Sequence, residues 1–336
     1  MRRGILLVNT GSPASPAIKD VRRYLGEFLM DKHVIDIPYL WRMLLVKLLI
    51  LPSRPRASAE AYRSIWRPDG SPLVAISRAV RARTEEGIAS PVALGMRYGS
   101  PSITDGLREL AEVTGGKVEE IFLVPLYPHY AMSTTESVTA EVEKQQKKMG
   151  VGDRLEVLPP FYNNELYIDA LSQSIDDHSI KGYDHLLFSY HGLPERHIRK
   201  TDSTGTHCLR AEDCCEASSP AHKTCYRHQV LETTKLVAAK LGLSVERYSV
   251  AFQSRLGRDR WLTPNTTDTL GRLAREGIKR LLVVCPSFVT DCLETLEEIG
   301  IRGRRTFESA GGDKLKLVPC LNVNPMWIKT LQTWCG

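Results

Sequence analysis

The chain has 336 residues, 42 % hydrophobic and 25 % charged, with a formal net charge of +6; that is ordinary globular composition, long enough for two domains and unlike a disordered chain. The charge is modest and spread out, which suits anionic small molecules or lipid head groups and argues against a nucleic-acid partner, because a duplex calls for a dense basic face. Four cysteines bunch together and the others are Cys285, Cys292, Cys320 and Cys335, unlike the even scatter of a secreted disulfide scaffold, so a cytoplasmic location is expected.

The opening MRRGILLVNTGSP has a short apolar run but no long hydrophobic region and no small-residue cleavage site, so it reads as a first strand. Further short apolar runs follow. They fall at 4–8, 92–96, 121–126 and 155–158 in the first half and at 186–190, 248–252, 281–285 and 315–318 in the second, separated by helix-length polar stretches. Strand then helix, repeated, predicts parallel sheets flanked by helices. The halves also match in detail: LLVNTGSP resembles LLFSYHGLP, and IFLVPLYPHY aligns with LLVVCPSFVTD, which points to an internal duplication, with chance similarity among generic strand–helix units as the alternative. The expected architecture is α/β, with two similar Rossmann-like domains at 1–165 and 166–320, each built on a four-stranded parallel sheet. A last helix within 321–336 is expected to pack back on the first domain.

The first half carries an extra apolar piece at about 35–55, interrupted by Arg42 and Lys47. A spanning helix needs about 20 apolar residues without such breaks, so this is not a transmembrane segment. Trp41, Met43, Leu44, Leu45, Leu48 and Leu49 either pack into the core or form the apolar face of a helix at a membrane surface or pocket mouth.

The second half holds the chemistry. His191 ends the strand at 186–190, and a neutral imidazole there can accept a proton or bind a metal. Beyond the strand at 281–285 lies VTDCLETLEEIG, in which Asp291, Glu294 and Glu298 stand at i, i+3 and i+7 on one helix face. A solvated acidic face is the usual reason for such a run, but a line of carboxylates leading to a histidine also carries hydrated cations one way and protons the other. Within a polar insert at 201–228, Cys208, Cys214, Cys215 and Cys225 are spaced C-x5-C-C-x9-C. So close a set points to metal, and the spacing leaves zinc, an iron-sulfur cluster and reactive thiols open.

Three of these stretches, SYHGLPER with His191, FQSRLGRDRWLTPNT with Trp261 and PSFVTDCLETLEEI with Asp291 and Glu294, resemble in order the signatures of the ferrochelatases, which insert ferrous iron into a porphyrin to make haem. The similarity runs over nearly the whole chain. It implies the family's two-domain chelatase fold, with protoporphyrin IX or a close porphyrin and ferrous iron as substrates. It also implies that His191 is the proton acceptor and Glu294 its acidic partner, both touching the iron, with Asp291 and Glu298 continuing the metal path.

By the same resemblance Trp261 borders the macrocycle, Arg54, Tyr62 and Ser71 hold its propionates, and Arg97 and Tyr98 of GMRYGSP fall in the pocket on the other side. The insert at 35–55 becomes the family's lip, with peripheral membrane contact an expectation. Some ferrochelatases carry a two-iron two-sulfur cluster, which favours 2Fe-2S ligation by Cys208, Cys214, Cys215 and Cys225, although the animal enzymes place their cysteines largely in a carboxyl-terminal extension. The rival readings are a related chelatase acting with iron or cobalt on coproporphyrin or sirohydrochlorin, and a non-catalytic haem or metal carrier. An acidic row ending at a histidine is more than a carrier requires.

Overall fold

The computed structural model describes residues 3–179, 182–255, 257 and 259–336. Met1 and Arg2 of the opening run, and Leu256 and Arg258 of FQSRLGRDRWLTPNT, lie outside the described residues. The chain divides into two compact units. Unit 1 gathers Met1–Tyr127, Met132–Pro159 and Ile328–Gly336, and unit 2 gathers Pro128–Ala131 and Pro160–Trp327.

Unit 1 is built on β1 (Arg3–Ser12), β2 (Val92–Gly99), β3 (Glu120–Pro125) and β4 (Arg154–Val157), parallel and ordered β2-β1-β3-β4. Unit 2 repeats the plan with β5 (His185–His191), β6 (Tyr248–Gln253), β7 (Arg280–Val284) and β8 (Lys314–Leu317), ordered β6-β5-β7-β8. The eight apolar runs are therefore the eight strands found among the described residues, and the α/β class with two four-stranded parallel sheets holds. Central strands covered by helices on both faces read as unbroken apolar runs, as in β3 and β5, whereas the edge strand β4 alternates. β1 runs past its apolar segment to Ser12 because the ladder continues through Gly11 opposite Tyr98 and Ser12 opposite Gly99. Hydrophobic patterning ends there before pairing does.

The covering helices begin alike in the two units. Ser102 and Asp105 form a reciprocal capping box at the start of helix Ile103–Val113, and the Asn265 side chain accepts from the backbone of Thr267 and Asp268 at the start of helix Thr266–Arg275. The first buries Leu107 and Leu110 among Leu6, Val8 and Ile121. The second buries Leu270 and Leu273 among Leu187, Ala251 and Val283. In each sheet the first strand has its neighbours on opposite sides, β1 between β2 and β3 and β5 between β6 and β7. That reversal leaves a crevice at the carboxyl ends of the strands, where open parallel sheets bind ligands.

In unit 1 the apolar insert forms helix Tyr39–Leu44 continued by a π-helical stretch, Leu45–Ile50. Core packing is not its outcome for Tyr39, Leu40, Trp41, Leu48 and Leu49, which are 58 to 69 % exposed. Val46 is buried, and Arg42 turns inward to donate to the carbonyls of Ile35 and Ile37 at 3.1 and 3.0 Å. Among the described residues no helix is long and apolar enough to cross a membrane.

Candidate active site

His191 is the last residue of β5, at the crevice of unit 2, and the main chain on both sides of it is fixed. The Gly192 amide donates to the Gln253 carbonyl at 2.6 Å. A Cβ added at Gly192 would sit 2.8 Å from that oxygen, 3.1 Å from the Ser254 carbonyl and 3.4 Å from the Trp261 ring, so only glycine fits. Trp261 is held beside this turn by a bridge to Pro194 and by the Leu262 amide donating to the Leu193 carbonyl at 3.0 Å. The Phe288 ring stands edge to face with the imidazole at 6.2 Å between centroids. Desolvation pulls the pKa of His191 below the usual histidine range, while the Glu294 carboxylate pushes it back up. The two side chains thus share one electrostatic environment.

Glu294 opens a π-helix, Glu294–Gly303, where the sequence spacing predicts an α-helix. The wider i→i+5 turn leaves Glu294 and Glu298 on one side of the helix. Glu298 accepts from Ser254 Oγ at 2.9 Å. Burial and the like charge of Glu294 push its pKa up to about 7. Arg302 lies 3.3 Å from Glu298, and its Nε–H is shared between the two Glu297 carboxylate oxygens at 2.8 and 2.9 Å.

Asp291 departs from the expected row. It precedes the helix, and its buried carboxylate accepts from the Cys320 amide at 3.1 Å, the Asn322 side chain at 2.7 Å and Thr295 Oγ1 at 3.3 Å, while its own amide donates to Asn322 at 2.9 Å. A carboxylate so engaged anchors the loop ahead of the helix, which leaves Glu294 and Glu298 as the paired acids.

In unit 1, Arg54 is exposed at the start of helix Arg54–Ile65, while Tyr62 is buried edge to face with Tyr24 and Trp66. Ser71 is buried at the N-cap of helix Pro72–Glu85. Arg97 and Tyr98 both reach Asp31. The Arg97 guanidinium pairs with it and donates to Ser137 Oγ at 2.7 Å, and the Tyr98 hydroxyl donates to it at 2.8 Å. Burial works against the Asp31 charge, but bonds from Ser137, the His33 amide and Tyr98, together with Arg97, outweigh it and bring its pKa down to about 2.

The four clustered cysteines come together in unit 2, all of them buried. The neighbouring Cys215 thiol lowers the pKa of Cys225 and is itself pushed up by that contact, while burial pushes Cys208 up. Arg227 donates to the sulfurs of Cys214 and Cys215 at 3.4 and 3.6 Å, and Asp202 fixes the Cys208 amide at 2.8 Å. Four buried cysteines with a guanidinium against two of their sulfurs make a soft set of donors. Among the described residues no group of three or more His, Cys, Asp or Glu side chains is arranged to hold a metal ion.

Several residues here carry no sequence signal of their own. Gln253 and Ser254 lie inside the FQSRLG motif, whose histidine-free run draws attention to Trp261 instead. Tyr226 and Ser287, which bond to the His191 main chain, are masked by neighbouring motifs, and Asp31 stands in an unremarked loop.

The ferrochelatase family model matches residues 2–335. The chain is 52 % identical to the ferrochelatase of Azotobacter vinelandii, over 98 % of this chain and 97 % of that protein, and 51 % identical to that of Ectopseudomonas mendocina, over 98 % and 96 %. Among solved structures it resembles SirB from Bacillus subtilis with Fe3+, with a TM-score of 0.55 and 12 % identity over 99 % of this chain and 94 % of that one. At that identity the likeness concerns the fold.

Proposed function

The chain belongs to the ferrochelatase family and inserts iron into a porphyrin to make haem, and on that premise we propose that His191 and Glu294 carry the proton transfers of the reaction on ferrous iron and protoporphyrin IX or a close porphyrin. A free porphyrin has two inner N–H bonds. As each breaks, its electron pair stays on nitrogen to bind iron and its proton must leave. A planar ring does not offer all four nitrogens to a metal, so the bound ring is bent, at about 1–5 kcal/mol of strain offset by binding elsewhere on the ligand.

His191 suits the role of acceptor because desolvation keeps it neutral, and Glu294 is placed to stabilise the imidazolium that results. Glu298, ionised above about pH 7, is the next station for a proton or a hydrated cation. Asp291, its carboxylate held by Cys320, Asn322 and Thr295, continues the metal path with Glu298. Trp261 borders the ring, Arg54, Tyr62 and Ser71 meet the propionates, and Arg97 and Tyr98 line the pocket with Asp31 orienting them, in keeping with the guanidinium and hydroxyl donors that carboxylates favour.

The observation that carries this reading is the position of His191 at the carboxyl end of β5, fixed by the close turn at Gly192, with the Glu294 carboxylate near enough to raise its pKa. Its test is the anaerobic, iron-dependent loss of porphyrin fluorescence. Protoporphyrin and coproporphyrin run side by side name the substrate; a response to sirohydrochlorin alone would overturn the reading.

For the cysteine segment we infer 2Fe-2S ligation by Cys208, Cys214, Cys215 and Cys225, supported by the burial of all four free thiols in one short segment. Bound there, the cluster supplies a crosslink and a one-electron couple. Purified protein is expected to be red-brown apart from any bound porphyrin; colourless protein holding one zinc is the contrary result. The exposed Tyr39, Leu40, Trp41, Leu48 and Leu49, with the exposed Lys47 among them, support peripheral contact of a cytoplasmic enzyme with an anionic membrane surface.

A further inference from the structure

The main chain of His191 closes a ring of hydrogen bonds with two side chains. Its amide donates to Ser287 Oγ at 3.3 Å, its carbonyl accepts from the Tyr226 hydroxyl at 2.8 Å, and the Tyr226 and Ser287 oxygens are 2.7 Å apart. The protons fit one circuit. The Tyr226 proton goes to the carbonyl, so the Ser287 proton goes to the Tyr226 oxygen, and the Ser287 lone pair takes the His191 amide. This circuit stands where strand pairing has stopped. On one side β6 still reaches Gln253 opposite His191, but on the other β7 pairs no further than Val284 opposite Phe188. Without Tyr226 and Ser287 the last residue of β5 would be tied on one side only.

Tyr226 is also the first residue of helix Tyr226–Lys240, with Cys225 as its N-cap. Cys225 is buried, as are Cys208, Cys214 and Cys215 in the segment that leads up to it. The same helix is fastened to β5 again where Thr234 Oγ1 meets the Tyr190 hydroxyl at 2.7 Å. Between the two tyrosines lies His129, buried and edge to face with both at 5.5 and 5.8 Å, its Nε2 on Thr233 and its Nδ1 without a hydrogen-bond partner among the described residues. Burial holds its pKa down to about 3, so it is a neutral wedge. The cysteine segment thus ends, one residue on, at the group that grips the catalytic strand.

We propose that Tyr226 is a positioning residue that fixes His191 through its main chain and ties the cysteine segment, which ends at Cys225, to that histidine. The inference rests on His191 as the proton acceptor. Reacting groups tolerate little displacement, about 1 Å costing on the order of a hundredfold in rate, so a loosened strand end shows in turnover before it shows in binding.

The test uses the full-length enzyme. Tyr226→Phe keeps the ring against His129 and removes only the hydroxyl. Its kcat is expected to fall at least about tenfold with the porphyrin KM within about twofold, and amide exchange at His191 is expected to speed up by about tenfold. Ser287→Ala opens the same circuit and should reproduce both effects, which keeps the test alive if the tyrosine variant does not fold. Cys225→Ser, or Cys208→Ser should that fail to fold, is expected to quicken His191 exchange in the parent and to add little in the Tyr226→Phe background. If His191→Ala is inactive while Tyr226→Phe and Ser287→Ala match the parent in kcat and exchange, this inference is overturned and the acceptor assignment stands. If His191→Ala turns over normally, the acceptor assignment fails instead. Additive effects of Cys225→Ser and Tyr226→Phe on exchange would sever the link to the sulfurs.

Discussion

The side-chain amide of Gln253 donates to the main-chain carbonyl of Glu294 at 2.9 Å, and its oxygen accepts from Ser189 at 2.9 Å. One buried side chain at the end of β6 therefore sets the distance between the strand that carries His191 and the helix that carries Glu294. Gln253→Leu fills the same space but removes both of these buried hydrogen bonds, at about 1–3 kcal/mol. Urea unfolding should show that loss, and kcat should drop by about tenfold. A variant as stable and fast as the parent would remove Gln253 from the account.

Acid titration singles out Asp31. Its pKa is about 2 in the folded chain against an ordinary 3.8. Because the folded value is the lower one, the carboxylate contributes stability above about pH 4, and the contribution disappears as pH falls through about 2. The size is about 2 kcal/mol. Asp31→Asn should be less stable than the parent at neutral pH, and the gap should narrow as pH drops through that window. A gap independent of pH would show that charge is not what matters there.

Glu298 titrates in the working range. With a pKa of about 7, it is mostly ionised at pH 8 and mostly protonated at pH 6. If it receives the cation, the KM for ferrous iron should rise as pH falls from 8 to 6, while the porphyrin KM stays flat. Glu298→Gln should have the high iron KM at every pH. An unchanged profile in that variant would place the titrating group elsewhere.

Gly192→Ala puts a methyl group against the Gln253 and Ser254 carbonyls, backbone atoms that cannot step aside without moving the strand end. Loss of turnover of at least a hundredfold is expected, with near-normal secondary structure by circular dichroism. Full activity would mean that the turn after His191 is softer than its contacts imply.

Much of the fold is legible in the sequence because both sheets are parallel and covered: β1, β3, β5 and β7 have to be apolar in their central residues, and those runs announce them. His191 is legible for a related reason, since an apolar run that stops at a histidine and a glycine marks a strand end at a crevice. The π-helix is not, because Glu294 and Glu298 at i, i+4 look the same in α-helical spacing. Asp291 reads as part of an acidic row, and only its partners Cys320 and Asn322, 29 and 31 residues away, turn it into an anchor. The lip shows the same limit. Its amphipathic pattern serves a core helix and a surface helix equally, and only the exposure of Trp41, Leu48 and Leu49 separates them.

The most direct measurement is single-turnover metalation by His191→Ala and Glu294→Gln, with ferrous iron and protoporphyrin under anaerobic conditions, followed by porphyrin fluorescence. Both variants are expected to bind porphyrin within about tenfold of the parent affinity and to lose at least about a hundredfold in the rate of quenching. Quenching at the parental rate by His191→Ala would contradict the assignment of that imidazole as the acceptor of the inner protons.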